Sequence, residues 1–416
     1  MNLGKKTGLT IALVFVCMAL MLVPLGSAAA AGEELITPDA PGSTADQSFL
    51  DDELNKYNKN QDVWFMLMMV AFLMLFIRKF EWGVALGTLL VTAGSFITYM
   101  AINEFYYGAS WNQDLMLMGV ICAITVVIAI GVFLGTIKMW QYLLAGVLFA
   151  PVFVALEYFL FTVMDATDPG GSMLVHMCAA YFGLGVALAV REKRAFDEPM
   201  YTTTHSVSFV WLASMLLWML WPSFVTALLP SDQVTWGMIT CYMAGLGSII
   251  TTYLICQIVQ KKVNPLIYTY AMLAGPVAIG SPLLSVNQWG ALVVGLVAGA
   301  ISALSFIYLQ PRLCKFLGVL DVMGVHNLHG VAGWIGALSI VVITGTFTNA
   351  IAAVGTMVIT LVGGLIAGII IRATRGKIPD EDLFSDDADF IKTEAPPEQT
   401  LPREVIMGTE GSQKTA

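Results

Sequence analysis

Asp168-Pro-Gly-Gly-Ser-Met-Leu-Val-His176 heads the apolar stretch 171–190, and Asp321-Val-Met-Gly-Val-His326-Asn-Leu-His-Gly330 heads a second one, 322–346. Each stretch has the ~20 residues that cross ~30 Å of hydrocarbon as a helix rising 1.5 Å per residue. An aspartate or another ionisable group inside such a span is costly, about 2.5–3.5 kcal/mol for a charge at its centre, so its presence marks a pathway by default. Two spans, each led by an aspartate and then a histidine, therefore predict an all-α polytopic membrane protein with a polar path through it.

Apolar stretches of similar length lie near 63–79, 83–103, 114–137, 139–163, 207–228, 235–259, 265–284, 288–309 and 350–372, giving eleven with the first two. Lysine and arginine occupy alternate connections: Arg78 and Lys79, Lys138, Arg191 with Lys193 and Arg194, Lys261 and Lys262, Arg312 and Lys315, then Arg372, Arg375 and Lys377. The connections between, around 104–113, 164–170, 229–234 and 285–288, carry none. That alternation is the positive-inside pattern. It predicts a mature N-terminus outside and a cytoplasmic C-terminus. Eleven spans divide as five, five and one, the arithmetic of two inverted five-helix repeats plus a last helix. His176 lies on the fifth stretch and His326 on the tenth, so the repeat brings these two histidines together from opposite sides.

Residues 1–31 begin with Lys5 and Lys6, continue through an apolar run from Leu9 to Leu25, and end in Gly26-Ser-Ala-Ala-Ala-Ala31. Charged start, apolar centre and small-residue end describe a cleavable signal peptide; an uncleaved extra N-terminal helix is the alternative. The domain plan is then a signal segment 1–31, a polar extracellular segment 32–60, a transmembrane domain 61–372 and an acidic cytoplasmic tail 373–416. The tail's prolines and acids predict disorder at its end. The stretch Leu383–Phe390 is left between docking on the bundle and a solvated default.

Composition agrees. Of 416 residues, 57% are hydrophobic and 12% charged, with a mean hydropathy of +0.78; soluble domains sit near 45–50% and about 25%. The net charge of −9 is concentrated in the flanking segments, and no basic patch suits nucleic acid. The cysteines at 17, 122, 178, 241, 256 and 314 form no CxxC or Cys/His spacing, so they read as small apolar packing residues. No phosphate loop, dinucleotide fingerprint or nucleophile elbow is present, so no enzyme, metal or cofactor is expected.

Two imidazoles in contact can share one hydrogen between facing nitrogens, leaving one donor and one acceptor for a small neutral molecule. No carboxylate or carbonyl cage accompanies them, so a strongly hydrated metal cation is a poor fit. Asp168 and Asp321 read equally as N-caps and as polar groups at pore mouths. His329 has no direction assigned by sequence, and His205 lies in a connection.

These motifs resemble the Rh branch of the ammonium transporter family over nearly all of 55–390. Asp168–His176 followed by Tyr181-Phe-Gly-Leu184 looks like the motif that ends in the first of the twin pore histidines. Asp321–Gly330 resembles its partner stretch, with His326 at the second twin position. Leu217-Trp-Met-Leu-Trp221-Pro-Ser-Phe224 is similar to the segment ending in a pore-gating phenylalanine. Gln61-Asp-Val, Glu157 and Asp382-Leu-Phe-Ser-Asp-Asp387 also fit. Two positions depart from the family pattern: Ile121 stands at the outer gate phenylalanine position, and Tyr270 where an asparagine is usual. The resemblance implies a plasma-membrane homotrimer with one pore per subunit, conducting ammonia derived from ammonium. A pore for carbon dioxide or another small neutral gas, and a non-conducting scaffold or sensor, are the competing expectations.

Overall fold

The computed structural model describes residues 44–77, 79–197 and 202–391, and among these the ordered elements are all helical. The signal segment and the tail beyond 391 lie outside the described residues. In chain order the helices are α1 (Thr44–Leu73), α2 (Glu81–Phe105), α3 (Gln113–Ile130), α4 (Trp140–Val163), α5 (Ser172–Val190), α6 (Thr204–Val225) and α7 (Ser231–Gln260). There follow α8 (Pro265–Ala271), α9 (Ala274–Ala278), α10 (Gln288–Leu317), α11 (His326–Thr344) and α12 (Thr348–Arg375). Among the described residues nine of these are long and apolar enough to span a bilayer, namely all but α1, α8 and α9. Of the apolar stretch 63–79, only 63–73 is helical, as the second half of α1. The expected polar segment 32–60 is helical from Thr44 onward, as the first half of the same helix. The stretch 265–284 is broken into α8 and α9, because Pro276 lacks the backbone N–H that the Met272 carbonyl would accept in a continuous helix.

Local chemistry sets where the helices begin. Asn112 accepts a hydrogen bond from the Leu115 N–H, Asn287 from Trp289 and Gly290, and Thr203 with Ser206 forms a reciprocal capping box at the head of α6. Packing is then governed by small residues. With no water to expel between helices, association in lipid depends on close approach of backbones. A Cβ on Gly146 of α4 would lie 2.3 Å from the Val91 carbonyl of α2, and one on Gly295 of α10 would lie 1.9 Å from the Ala244 carbonyl of α7. Thus α2 seats on α4, and α7 on α10, through the same device.

Two of the segments with wide π turns, Ser172–Met177 and His326–Gly330, carry histidines. The His176 N–H reaches back five residues to the Gly171 carbonyl (3.2 Å), as does that of Val331 to His326. Such turns often accompany functional sites.

The stretch Leu383–Phe390 does not follow its solvated default. Phe384 is buried, its N–H donates to the Gly135 carbonyl (3.1 Å), and its ring lies where a Cβ on Gly135 would be. The Asp386 carboxylate accepts from the Gly83 N–H at the head of α2 (2.7 Å), and the Phe390 ring meets Trp82 edge-on at 5.5 Å. Glu192 pairs with Arg194 and Arg375, and Arg194 pairs with Asp380. Arg194 first, then Arg375, holds the Glu192 carboxyl down at about 2. Burial of an aromatic ring and a helix-heading carboxylate outweighs the polarity of this stretch.

Phe384→Ala removes the buried ring at a cost of about 3–5 kcal/mol to tail docking. Limited proteolysis should then cut within 376–391 at protease levels that spare the parent chain, while the melting temperature of the bundle changes little.

Candidate functional site

The two leading aspartates act as backbone clamps. Asp168 accepts from the Met173 and Leu174 N–H groups (both 2.9 Å) and from the Ser281 hydroxyl (2.6 Å). Asp321 accepts from the Val325 N–H (3.0 Å) and the His326 N–H (2.9 Å). Both are buried. Each carboxylate satisfies first-turn donors that would otherwise go unpaired in a low-dielectric interior. Asp168 also lines the cavity described below; Asp321 does not.

The ring that meets His176 belongs to His329. Their Nδ1 atoms are 3.1 Å apart, and the ring centroids are 5.1 Å apart with planes 23° from parallel. His326, expected in that place, instead meets Tyr181 edge-on at 5.7 Å and keeps a buried Nδ1 without a protein partner. In an ordinary α turn, residues three apart lie nearly above one another. The wider π turn rotates them apart, so only one of the two histidines can face His176. The sequence held the signal: His176 stands eight residues after Asp168, and His329 stands eight after Asp321.

One hydrogen shared between the two Nδ1 atoms makes one ring a donor and the other an acceptor at Nε2. The Nε2 of His176 is buried and has no protein partner. Trp221 lies 5.5 Å and Phe224 5.9 Å from the His176 ring. Trp218, by contrast, faces Tyr242 at 5.5 Å and packs within the bundle.

Three cavities follow one another past this pair. The first, about 200 Å³, is lined by Asp168, Gly170, Leu174, Ile121, Phe224 and Leu228. The second, about 20 Å³, lies among Phe224, Trp221, His176, His329 and Leu273. The third, also about 20 Å³, lies among His329, Leu73, Val325, Met323 and Tyr270. Phe224 is common to the first two, and His329 to the last two. Ile121 thus stands in the wall of the first cavity. Among the described residues, no three His, Cys, Asp or Glu side chains are placed to hold a metal ion.

The profile of the Ammonium Transporter Family matches residues 47–375. The chain belongs to that family. It is 31% identical over 358 residues to "Ammonium transporter Rh type A" of Bos taurus, covering 80% of this chain and 83% of the relative. It is 29% identical over 400 residues to "Ammonium transporter Rh type C" of Oryctolagus cuniculus, covering 84% and 85%. Among solved structures, the Rh50 channel of Nitrosomonas europaea superposes with a TM-score of 0.79 at 30% identity, over 86% of this chain and 97% of that one. A "Sensor Amt Protein" superposes at 0.70 with 15% identity, a likeness of fold alone. The transporter is therefore a multi-pass membrane protein of the Rh branch, and the histidine contact is a feature of its interior.

Asp168→Ala should strand two buried N–H groups and one hydroxyl, at about 1–3 kcal/mol each, whereas Ser281→Ala removes a single partner. A thermal-shift series in detergent should show the aspartate variant melting well below the serine variant. Equal melting temperatures would contradict the clamp.

Proposed function

We propose that the transporter conducts neutral ammonia, derived from ammonium, along the three cavities. The observation that supports this reading most directly is the stacked His176–His329 pair in an otherwise apolar passage. An ion entering that passage loses its hydration without a compensating charge, a penalty of several kcal/mol even after relaxation. Ammonia loses only hydrogen bonds, each costing about 1–3 kcal/mol when left unmade, and two Nε2 atoms of opposite character replace part of them. Selection for the neutral species follows from these energies.

In this reading Asp168 marks the external mouth, where ammonium gives up its proton to external water. Phe224 and Ile121 bound the vestibule, and Trp221 closes the side of the histidine chamber. Asp321 sets His329 in place from the other end. Eleven crossings in two inverted five-helix halves plus a last helix, with the mature N-terminus outside and the C-terminus cytoplasmic, account for the two clamps of matching spacing. The plan includes a signal segment 1–31, a transmembrane domain 61–372, a cytoplasmic tail 373–416 and a homotrimer in the plasma membrane. His326 stands outside the chamber and is assigned no contact with substrate.

Stopped-flow with an internal pH dye in proteoliposomes, applying ammonia and carbon dioxide gradients separately, tests the reading. Faster alkalinisation than in empty liposomes, with no membrane current, is the expected result. Equal rates would end it, and acceleration by carbon dioxide alone would transfer the pore to another gas. His329→Ala should change ammonia flux about as much as His176→Ala, by about five- to a hundredfold for one or two lost hydrogen bonds. His326→Ala should change it far less; the reverse order would restore His326 as the pore histidine.

A further inference from the structure

The third cavity is lined by a side chain that the conduction reading has not used. Tyr270 stands at the end of the seven-residue helix α8, just before the break at 272–273. Its ring is buried, edge-on to Phe76 at 5.4 Å and tilted against Phe306 at 5.9 Å. Its hydroxyl donates to the Leu73 carbonyl at 2.9 Å and touches the Met323 sulfur at 3.6 Å. Leu73 is the last residue of α1, and a helix's final carbonyls have no partner within the helix. The hydroxyl is therefore tied to a free acceptor by one hydrogen bond, in a wall that also includes Val70, Met74, Ile128, Val325 and Leu328.

The space between that ring and His329 is about 20 Å³, little more than the ~10–15 Å³ that one water-sized occupant needs. A molecule that leaves the histidine chamber away from Asp168 meets the phenol and the thioether next. The latch is a single ordinary hydrogen bond, which is weak in net terms against the packing around it. The ring's neighbours are aromatic and sulfur groups that accommodate tilting.

Resting on the conduction reading, we propose that Tyr270 is the gate at the end of the pore opposite Asp168: its ring, latched through the hydroxyl to the Leu73 carbonyl and seated on Met323, sets the size limit and the rate of passage. Ammonia passes with a small ring displacement; an amine carrying one more carbon does not.

The test uses the full chain in proteoliposomes with ammonia and methylamine gradients, comparing the parent with Tyr270→Phe, Tyr270→Ala and Tyr270→Asn. Tyr270→Phe keeps the bulk and loses the latch, so ammonia flux should rise about fivefold, the effect of one net hydrogen bond. Tyr270→Ala should raise the methylamine-to-ammonia ratio at least about tenfold, the low end of what one carbon's width in an apolar pocket discriminates. Tyr270→Asn does the same by shortening alone and serves if the alanine variant does not assemble. A conducting parent whose variants keep its rate and its ratio overturns the gate and leaves conduction standing. Silence from the parent and every variant overturns both.

Discussion

A hydrogen shared by two imidazole nitrogens 3.1 Å apart tolerates little displacement of either ring, so the backbone carrying each must be fixed on its own account. Asp168 does this for His176 by accepting from Met173, Leu174 and Ser281, and Asp321 does it for His329 by accepting from Val325 and His326. The same carboxylates make it possible for spans to begin inside the protein with irregular backbone, which is tolerated at membrane depth only where protein satisfies it. One arrangement thereby meets both a folding requirement and a geometric one.

The rest of the bundle serves that contact. Close glycine-mediated crossings of α2 on α4 and α7 on α10 make rigid outer walls. The broken segment α8–α9 places Gly280 against Gly170, where the Gly170 N–H donates to the Gly280 carbonyl at 2.8 Å. The chain just after α9 thus locks onto the segment that leads to His176. Phe224, Trp221 and Tyr270 reach the passage from α6 and α8, on either side of the pair. The order is one of increasing constriction, from about 200 Å³ to about 20 Å³.

Opposite the Asp168 end, the docked stretch around Phe384 and the Glu192–Arg194–Arg375 cluster tie the chain after α12 to the connections beside α2, α4 and α5. Charged hydrogen bonds of this kind are stronger than neutral ones. They fix the end of α12 without entering the passage, so tail and pore remain physically separate features.

Composition and the length of the apolar runs by themselves determined a helical membrane protein, since only helices satisfy every backbone group within a single apolar segment. The equal spacing of Asp168 from His176 and of Asp321 from His329 also lay in the sequence, but choosing His329 over His326 needed the π turn, which no periodicity announces because it arises from how the segment packs. Docking of Leu383–Phe390 was equally hidden: its acids look solvated until Gly83 presents an unpaired N–H and Gly135 leaves room for a ring. Local patterns state which groups must be buried or satisfied. Only the assembled bundle decides which partner, distant along the chain, is near enough to do it.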